Sequence, residues 1–291
     1  MKINSVFFKI AVYTDLIKYK LSLAVTLSSV TGYFIFSHNF KGSLLWLVIG
    51  VFLLASGSAA LNQYTEREFD ALMDRTKNRP LPLKKLSHEV VLKVSVFLLA
   101  TGLTFTLFSG ILPSLLGLLN IVLYNVAYTR LKRITSLAII PGALVGAVPP
   151  FIGYTAAGGM HLTPEIILFS AFMFLWQLPH FWLIIIRHRD EYNSAGFKTF
   201  SHTLKEKQIR ILIFLWVLFS TLFVLCFSSL TLGLSKPVNY FLILMNSFFI
   251  LLFYHLLFKR DAQKDVKGAF ILVNSFSFLI MILFIVNSFL S

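Results

Sequence analysis

The sequence predicts an all-α polytopic membrane protein, with nine transmembrane helices around a central cavity and a cytoplasmic N-terminus. Hydrophobic residues make up 57% of the 291-residue chain and charged residues only 13%, whereas soluble proteins average roughly 25% charged residues. Apolar runs of about 20 residues, the length that crosses a bilayer as a helix, recur along the chain. The predicted spans cover residues 21–37, 43–64, 90–109, 112–129, 136–157, 164–186, 209–228, 238–258 and 268–290.

No polar stretch is long enough to form a separate soluble domain, so we expect one intramembrane domain over residues 1–291. The basic, weakly amphipathic N-terminus lacks a small-residue cleavage site, which argues against a removed signal peptide. The single cysteine, Cys226, lies in an apolar run and rules out an internal disulfide.

The net charge is +14, and the positions of the Lys and Arg residues along the chain indicate the membrane topology. With the N-terminus inside, 24 of the 26 Lys and Arg residues fall on one side, and only Lys41 and Lys236 fall on the other. Because positive charge concentrates on the cytoplasmic side of membrane proteins, this distribution predicts a cytoplasmic N-terminus and an outer C-terminus. We expect a multi-pass protein of the cell inner membrane with its active-site loops on the cytoplasmic side. A basic inner face favours anionic lipids and anionic substrates, and we expect no nucleic-acid partner.

The acidic residues also lie inside, which the topology rule does not require. Eleven of the 12 Asp and Glu residues are on the inner side, and Glu165 is the exception. The sequence therefore predicts that any chemistry takes place in loops on the cytoplasmic face.

The first inner motif follows the second span, in the segment NQYTEREFDALMDRTKNRPLP (62–82). Asn62, Glu66, Asp70 and Asp74 recur every four residues, so on a helix that continues inward they share one side. Such a stripe suits Mg²⁺, which binds one or two carboxylates together with water and phosphate oxygens. A solvated helix end with Glu–Arg pairs is the structural alternative. We expect the helix to stop near the prolines at 80 and 82.

The second motif lies between residues 123 and 154. Tyr128, Arg130, Lys132 and Arg133 end the fourth span; the cations either mark topology or hold a diphosphate. The fifth span then carries Gly142 and Gly146, whose spacing permits close helix contact. It also carries the pair Pro149–Pro150, which is expected to break the span in mid-membrane.

The third motif is FLWQLPHFWLIIIRHRDEYNSAGFKTF (174–200). Gln177 and His180 share one face of the sixth span. A histidine inside a membrane span is usually functional, although a hydrogen-bonded core histidine is the alternative. Arg187 and Asp190 lie at the inner end, where acids and arginines are crowded.

Together the three motifs resemble the intramembrane aromatic prenyltransferase superfamily that includes 4-hydroxybenzoate polyprenyltransferase. Within it they are most similar to the protoheme IX farnesyltransferase, or heme O synthase, family. The segments that carry the resemblance are residues 62–81, YNVAYTRLKRIT (124–135), GAVPPFIG (146–153) and WQLPHF (176–181). This chain departs from the usual pattern at Glu66 and Glu68, where Asp is usual, and at Ala138 and Tyr154, where Asn and Trp are common.

The resemblance implies transfer of the farnesyl group of farnesyl diphosphate to a vinyl group of heme B, with addition of water, giving heme O and diphosphate. It implies Mg²⁺ as cofactor and the lipid bilayer as surroundings, with a heme A synthase or a terminal oxidase assembly as protein partners. The implied metal ligands are Asn62, Glu66, Asp70 and Asp74, and the first three of these are catalytic together with His180. The implied substrate-binding residues are Arg67, Arg75, Arg79, Tyr128, Lys132, Arg133, Gln177, Arg187 and Asp190.

Two alternatives remain at this stage. A prenyltransferase for a quinone precursor is the first, but such an enzyme is expected to carry a D-x-x-x-D motif where this chain has Gln177 and His180. A membrane transporter is the second, since mid-span prolines and an intramembrane histidine suit one. Against it, no repeat relates two halves of the sequence.

The charge asymmetry makes the topology testable with reporter fusions. We expect a reporter fused after Gly159 to report the periplasmic side and one fused after Lys205 to report the cytoplasmic side, because the Lys and Arg residues divide 24 to 2 between the two sides. Alkaline phosphatase and green fluorescent protein fusions measure this. The nine-span map is wrong if both positions report the same side.

Overall fold

All the regular secondary structure in the described part of the chain is helical. The computed structural model describes residues 2–200, 204–229, 234–258 and 262–290, and these ranges contain no β-strand. The α-helices are α1 (Lys2–Leu16), α2 (Tyr19–Phe36), α3 (Gly42–Leu72), α4 (His88–Ser109), α5 (Ile111–Ile121), α6 (Thr129–Leu131), α7 (Ile139–Ala156), α8 (Pro164–Arg187), α9 (Arg189–Ser194), α10 (Glu206–Ser229), α11 (Lys236–Phe258) and α12 (Ala262–Leu290). A π-helical segment, Val122–Tyr128, joins α5 to α6, and a 3₁₀ turn, Ser136–Ala138, precedes α7.

Eight helical segments of the described chain are long and apolar enough to cross a membrane. They match predicted spans two to nine in order, with α5, the π-helical segment and α6 forming one span, Ile111–Leu131. Helix α2, with 18 residues, coincides with the first predicted span but is not among the eight. The all-helical membrane fold is therefore confirmed, while the count of nine and the orientation stay predictions.

The long helices close into a ring in chain order. Each of α2, α3, α4, α5, α7, α8, α10, α11 and α12 packs against the next, and α12 packs back against α2. Contacts of α2 with α7 and of α8 with α12 cross the ring. Phenylalanines and aliphatic side chains fill the half of the ring between α8 and α12, including Phe172, Phe249 and Phe276. The open cavity lies in the other half, and no described residue of α10, α11 or α12 lines it.

Helix α7 is continuous through Pro149 and Pro150, so the predicted break in mid-span is wrong. Close packing explains this difference. A side chain at Gly153 would overlap the carbonyl of Ser29 on α2, and one at Gly32 of α2 would overlap the carbonyl of Pro150. Neighbouring helices can thus support a proline-containing helix inside a membrane.

Candidate active site

Helix α3 extends beyond its apolar run, as predicted, and carries three polar side chains into the protein. Asn62, Glu66 and Asp70 are each almost fully buried and all line the cavity, whereas the side chain of Glu68 is exposed. Asn62 Nδ2 donates to Glu66 Oε2 at 3.0 Å and to Thr129 Oγ1 at 3.2 Å. The four-residue spacing therefore forms one buried acidic face over these three residues.

The stripe ends before Asp74, because α3 ends at Leu72. The Thr76 hydroxyl donates to the backbone carbonyl of Asp70 at 2.9 Å, and the chain turns back at this point. Asp74 is exposed and paired with Lys77, whose hydrogen bond lowers the pKa of the Asp74 carboxyl. The expectation that Asp74 continues the buried stripe, and that the helix runs on towards the prolines, is wrong.

Two cations neutralise the buried acids. Lys132 Nζ lies 2.6 Å from Glu66 Oε2, and Arg79 Nη1 lies 2.7 Å from each oxygen of Asp70. Arg79 reaches Asp70 because a series of turns follows α3. Lys132 reaches Glu66 at the end of α6. Burial lowers the pKa of Lys132, and the charge of Glu66 acts in the opposite direction.

A third cation of the cavity, Lys18, was not singled out from the sequence. It lines the cavity and its Nζ lies 3.5 Å from Asn62 Oδ1. Lys18 connects α1 to α2 in the left-handed backbone region, with φ 46° and ψ 53°, which is uncommon outside glycine. Burial lowers its pKa to about 7, with the positive charges of Arg79 and Lys132 as further causes. In the sequence it is only one of four cations of the basic N-terminal segment.

The loop after α3 and helix α9 meet over the mouth of the cavity. The backbone N–H of Arg75 donates to the Glu191 carboxylate at 2.8 Å, and its guanidinium donates to the Tyr192 hydroxyl at 3.0 Å. Burial raises the pKa of Tyr192, so the hydroxyl keeps its own proton and can donate it to an anion. Both Arg75 and Tyr192 line the cavity, and Tyr192 was not assigned a role from the sequence.

The cavity has a volume of about 380 Å³ and changes character with depth. Its mouth is charged, whereas its wall away from the mouth includes Val51, Leu54, Val145 and Ile152. Tyr128 stacks on Tyr124 and on Phe181, with ring centroids 5.9 and 5.7 Å apart. The site thus combines an anion-binding mouth with an apolar, aromatic interior.

Gln177 and His180 of α8 both line this cavity, as their shared helix face predicts. Gln177 packs against Gly146, where any side chain would overlap its amide. His180 Nδ1 lies 3.0 Å from Asn274 Oδ1 on α12, so the alternative of a hydrogen-bonded histidine is correct in part. His180 nevertheless lines the cavity.

The structure brings together only some of the predicted site residues. The predicted residues that line the cavity are Asn62, Glu66, Asp70, Arg75, Arg79, Tyr128, Lys132, Gln177 and His180. Those that lie outside it are Arg67, Asp74, Arg133, Arg187 and Asp190.

The predicted site residues that lie outside the cavity make other contacts or are exposed to solvent. Arg67 follows Glu66 on α3, and one residue along a helix turns the side chain by about 100°, away from the cavity. Arg67 pairs there with the exposed Glu68. Arg133 donates to the carbonyl of Thr65 and stacks on Phe69, 4.4 Å from the ring centroid. Arg187 and Asp190 are exposed at the inner end of α8 and in α9.

One feature of the acidic face fits a divalent cation. Glu66 Oε1 is buried and has no hydrogen-bond partner, and a buried polar atom without a partner is costly unless a ligand or ion uses it. Within the described ranges, no three His, Cys, Asp or Glu side chains lie close enough to hold a metal alone. The donor set of two carboxylates and the Asn62 amide oxygen still suits Mg²⁺, which takes its remaining oxygens from water and phosphate.

Comparisons with known proteins find relatives along most of the chain. The UbiA prenyltransferase family matches residues 23–284. A protoheme IX farnesyltransferase of Geobacter sulfurreducens is 41% identical over 189 residues, which is 64% of this chain and 70% of that protein. One of Flavobacterium psychrophilum is 30% identical over 284 residues, which is 96% of this chain and 94% of that protein.

Solved structures share the fold at low sequence identity. A UbiA homologue from Archaeoglobus fulgidus bound to GPP and Mg²⁺ superposes with a TM-score of 0.75 at 16% identity, over 96% of this chain and 98% of that one. An apo UbiA homologue from Aeropyrum pernix gives a TM-score of 0.72 at 16% identity, over 90% of this chain and 98% of that one.

Removing a lysine that pairs with a buried acid should destabilise the protein more than removing one that pairs with an exposed acid. Replacing Lys132 by Met leaves Glu66 buried and uncompensated, a loss that typically costs roughly 3–5 kcal/mol. We expect the thermal midpoint of the detergent-solubilised protein to fall by several degrees, and the double variant Lys132→Met/Glu66→Gln to regain most of this loss. Intrinsic fluorescence during heating measures the midpoint.

Lys77→Met is the matched control, because Lys77 pairs with Asp74 in solvent. Surface pairs contribute little to stability, so this variant should keep the wild-type midpoint. Equal midpoints for Lys77→Met and Lys132→Met would show that the Glu66–Lys132 pair is not structurally important.

Proposed function

The chain belongs to the UbiA prenyltransferase family, and from that premise we propose that it transfers the farnesyl group of farnesyl diphosphate to a vinyl group of heme B. Water adds in the same reaction, and the products are heme O and diphosphate. The relatives named protoheme IX farnesyltransferase support this choice of substrates. Membership of a prenyltransferase family removes the transporter alternative.

One observation carries the proposal. A single cavity joins a mouth lined by Lys18, Arg79 and Lys132 to an interior wall that carries Gln177 and His180. Farnesyl diphosphate has an anionic head and an apolar tail, and it needs this combination of surfaces. The interior polar pair is neutral, whereas an acceptor that must lose a phenolic proton favours an acidic group there.

The cations of the mouth bind and neutralise the diphosphate. Arg79 supplies a planar guanidinium that can donate to two phosphate oxygens, and Lys132 supplies a point charge. The Tyr192 hydroxyl accepts from Arg75 and has a proton left for a phosphate oxygen. Together these groups stabilise the negative charge that develops as the allylic C–O bond breaks.

We assign a Mg²⁺ site to Asn62, Glu66 and Asp70, whose oxygen donor set and unpartnered Glu66 Oε1 support it. Mg²⁺, when bound, supplies Lewis-acid stabilisation of charge on the diphosphate. The Archaeoglobus fulgidus homologue, which is described as bound to GPP and Mg²⁺, supports a divalent ion in this family. We do not include Asp74 in the site, because it is exposed and paired with Lys77.

The interior residues hold the reacting carbons together. Val51, Leu54 and Ile152 give an apolar wall for the farnesyl chain, which keeps bulk water from the allylic carbon. The terminal vinyl carbon attacks the first farnesyl carbon, and the electron pair of the broken C–O bond stays on diphosphate. Tyr128 and Phe181 add aromatic rings to this wall, and their π-electrons stabilise the cation that results.

We further propose that this reaction takes place in the cell inner membrane, with the mouth towards the cytoplasm. The inner-side concentration of Lys and Arg residues supports this orientation. Since heme O is a heme-biosynthesis intermediate or an oxidase cofactor, a heme A synthase or a terminal oxidase assembly is the expected partner.

Pigment extraction tests the proposal. We expect a heme-O-deficient bacterium that expresses this chain to accumulate heme O, measured by mass spectrometry of the extracted hemes. Asp70→Asn should lower heme O by roughly two orders of magnitude, the effect of losing one group that stabilises charge in the transition state. Excess Mg²⁺ should rescue this variant poorly.

Asp74→Asn is the matched control, since the same substitution removes a carboxylate outside the cavity. It should leave heme O output close to wild type. Equal loss in both variants would contradict the assignment of the site to the buried face of α3. If the wild type makes no heme O and instead prenylates a hydroxybenzoate or a naphthoate, the acceptor is a quinone precursor and not heme.

A further inference from the structure

Asn274 of α12 holds the imidazole of His180 in one orientation and in one tautomer. Asn274 Nδ2 donates to the backbone carbonyl of Phe270. A carbonyl can only accept a hydrogen bond, so this contact fixes which end of the amide carries nitrogen. Asn274 Oδ1 therefore faces His180 Nδ1, 3.0 Å away.

An amide oxygen can only accept, so His180 Nδ1 must carry the proton of this hydrogen bond. In a neutral imidazole the other nitrogen, Nε2, then has a bare lone pair. The rings of Phe270 and Trp176 lie 5.0 and 5.1 Å from the imidazole. The Trp176 indole N–H also donates to the carbonyl of Val273 on α12 at 2.9 Å. Helix α12 thus fixes this part of α8.

The bare nitrogen belongs to a residue that lines the substrate cavity. Nδ1 is the only side-chain atom of His180 with a hydrogen bond among the described residues, and the residue lines the cavity. The amide of Gln177, one helical turn away, also lines the cavity and makes no hydrogen bond within the described ranges. His180 Nε2 and the Gln177 amide thus belong to residues one helical turn apart that both line the cavity.

We propose that Asn274 is a positioning residue, and that it keeps His180 Nε2 free to accept the proton of the water that completes the reaction. This inference rests on the proposed function. After the farnesyl carbon has bonded to the vinyl carbon, the cation lies on the adjacent carbon of the heme substituent. Water forms the new C–O bond there, its O–H electron pair stays on oxygen, and its proton moves to His180 Nε2.

The Gln177 amide oxygen accepts the second hydrogen of the same water and leaves a lone pair of the water oxygen directed at the cation. A pair of neighbouring acceptors suits a water molecule, whereas ligation of the heme iron uses one nitrogen and gives Gln177 no role. Diphosphate or solvent at the mouth then takes up the proton, so that charge is balanced overall.

Loss of this base should change which product forms. A cation that is not captured by water loses a proton from the neighbouring carbon, and the product is a farnesylated heme lighter by one water. The ratio of heme O to this dehydrated heme is independent of how much active protein is present, so a general loss of stability does not change it. Mass spectrometry of the extracted hemes gives the ratio directly.

Asn274→Leu removes the acceptor at nearly constant volume, and we expect the ratio to fall by roughly tenfold or more, as for loss of a positioned general base. Asn274→Asp keeps an oxygen acceptor opposite Nδ1 and should retain heme O as the main product. His180→Ala should lower the ratio at least as far as Asn274→Leu, with an unchanged absorption spectrum of bound heme B.

Asn246→Leu is the matched control, because Asn246 is a helical asparagine that, like Asn274, donates to a backbone carbonyl. It should keep the wild-type ratio. The inference fails if Asn274→Leu keeps that ratio, or if His180→Ala shifts the heme absorption spectrum without changing the products, which identifies an iron ligand. Absence of any farnesylated heme from the wild-type protein would instead reject the proposed function itself.

Discussion

Two buried ion pairs at the inner end of α3, Glu66 with Lys132 and Asp70 with Arg79, are the constraint on which the site depends. An unpaired buried carboxylate costs several kcal/mol, so a helix that carries two of them inward must meet two cations. The turns after α3 therefore return Arg79 to Asp70, and the fourth membrane span ends with Lys132 beside Glu66. The architecture of the mouth follows from this need for charge balance.

The same pairs make the site responsive to its proposed ligands. Mg²⁺ alone brings positive charge to acids that already have cations, and diphosphate alone brings negative charge to cations that already have acids. Bound together, the two ligands satisfy both sets of side chains, the acids through the metal and the cations through phosphate oxygens. We therefore expect binding of the metal and of the diphosphate to be strongly coupled.

The sequence predicted the parts of the site that regular helices position. The four-residue spacing placed Asn62, Glu66 and Asp70 on one buried face, and the three-residue spacing placed Gln177 with His180. The spacing could not place side chains beyond the ends of helices. Asp74 lies after Leu72, the last residue of α3, so its four-residue spacing from Asp70 no longer tells which way its side chain points. Lys18 was missed because its burial depends on a left-handed backbone turn between two helices. The continuity of α7 through its prolines depends on contact with α2, which local sequence does not encode.

Coupled binding of metal and diphosphate is the central claim, and a titration tests it most directly. The wild-type protein is titrated with a non-hydrolysable farnesyl diphosphate analogue in Mg²⁺ and again in EDTA, and heme B is titrated in the same two buffers. We predict that removal of Mg²⁺ weakens the analogue by roughly tenfold to a hundredfold, a coupling of about 1–3 kcal/mol, and leaves heme B unchanged. Equal affinity of the analogue in both buffers, or an equal loss for heme B, would contradict the account.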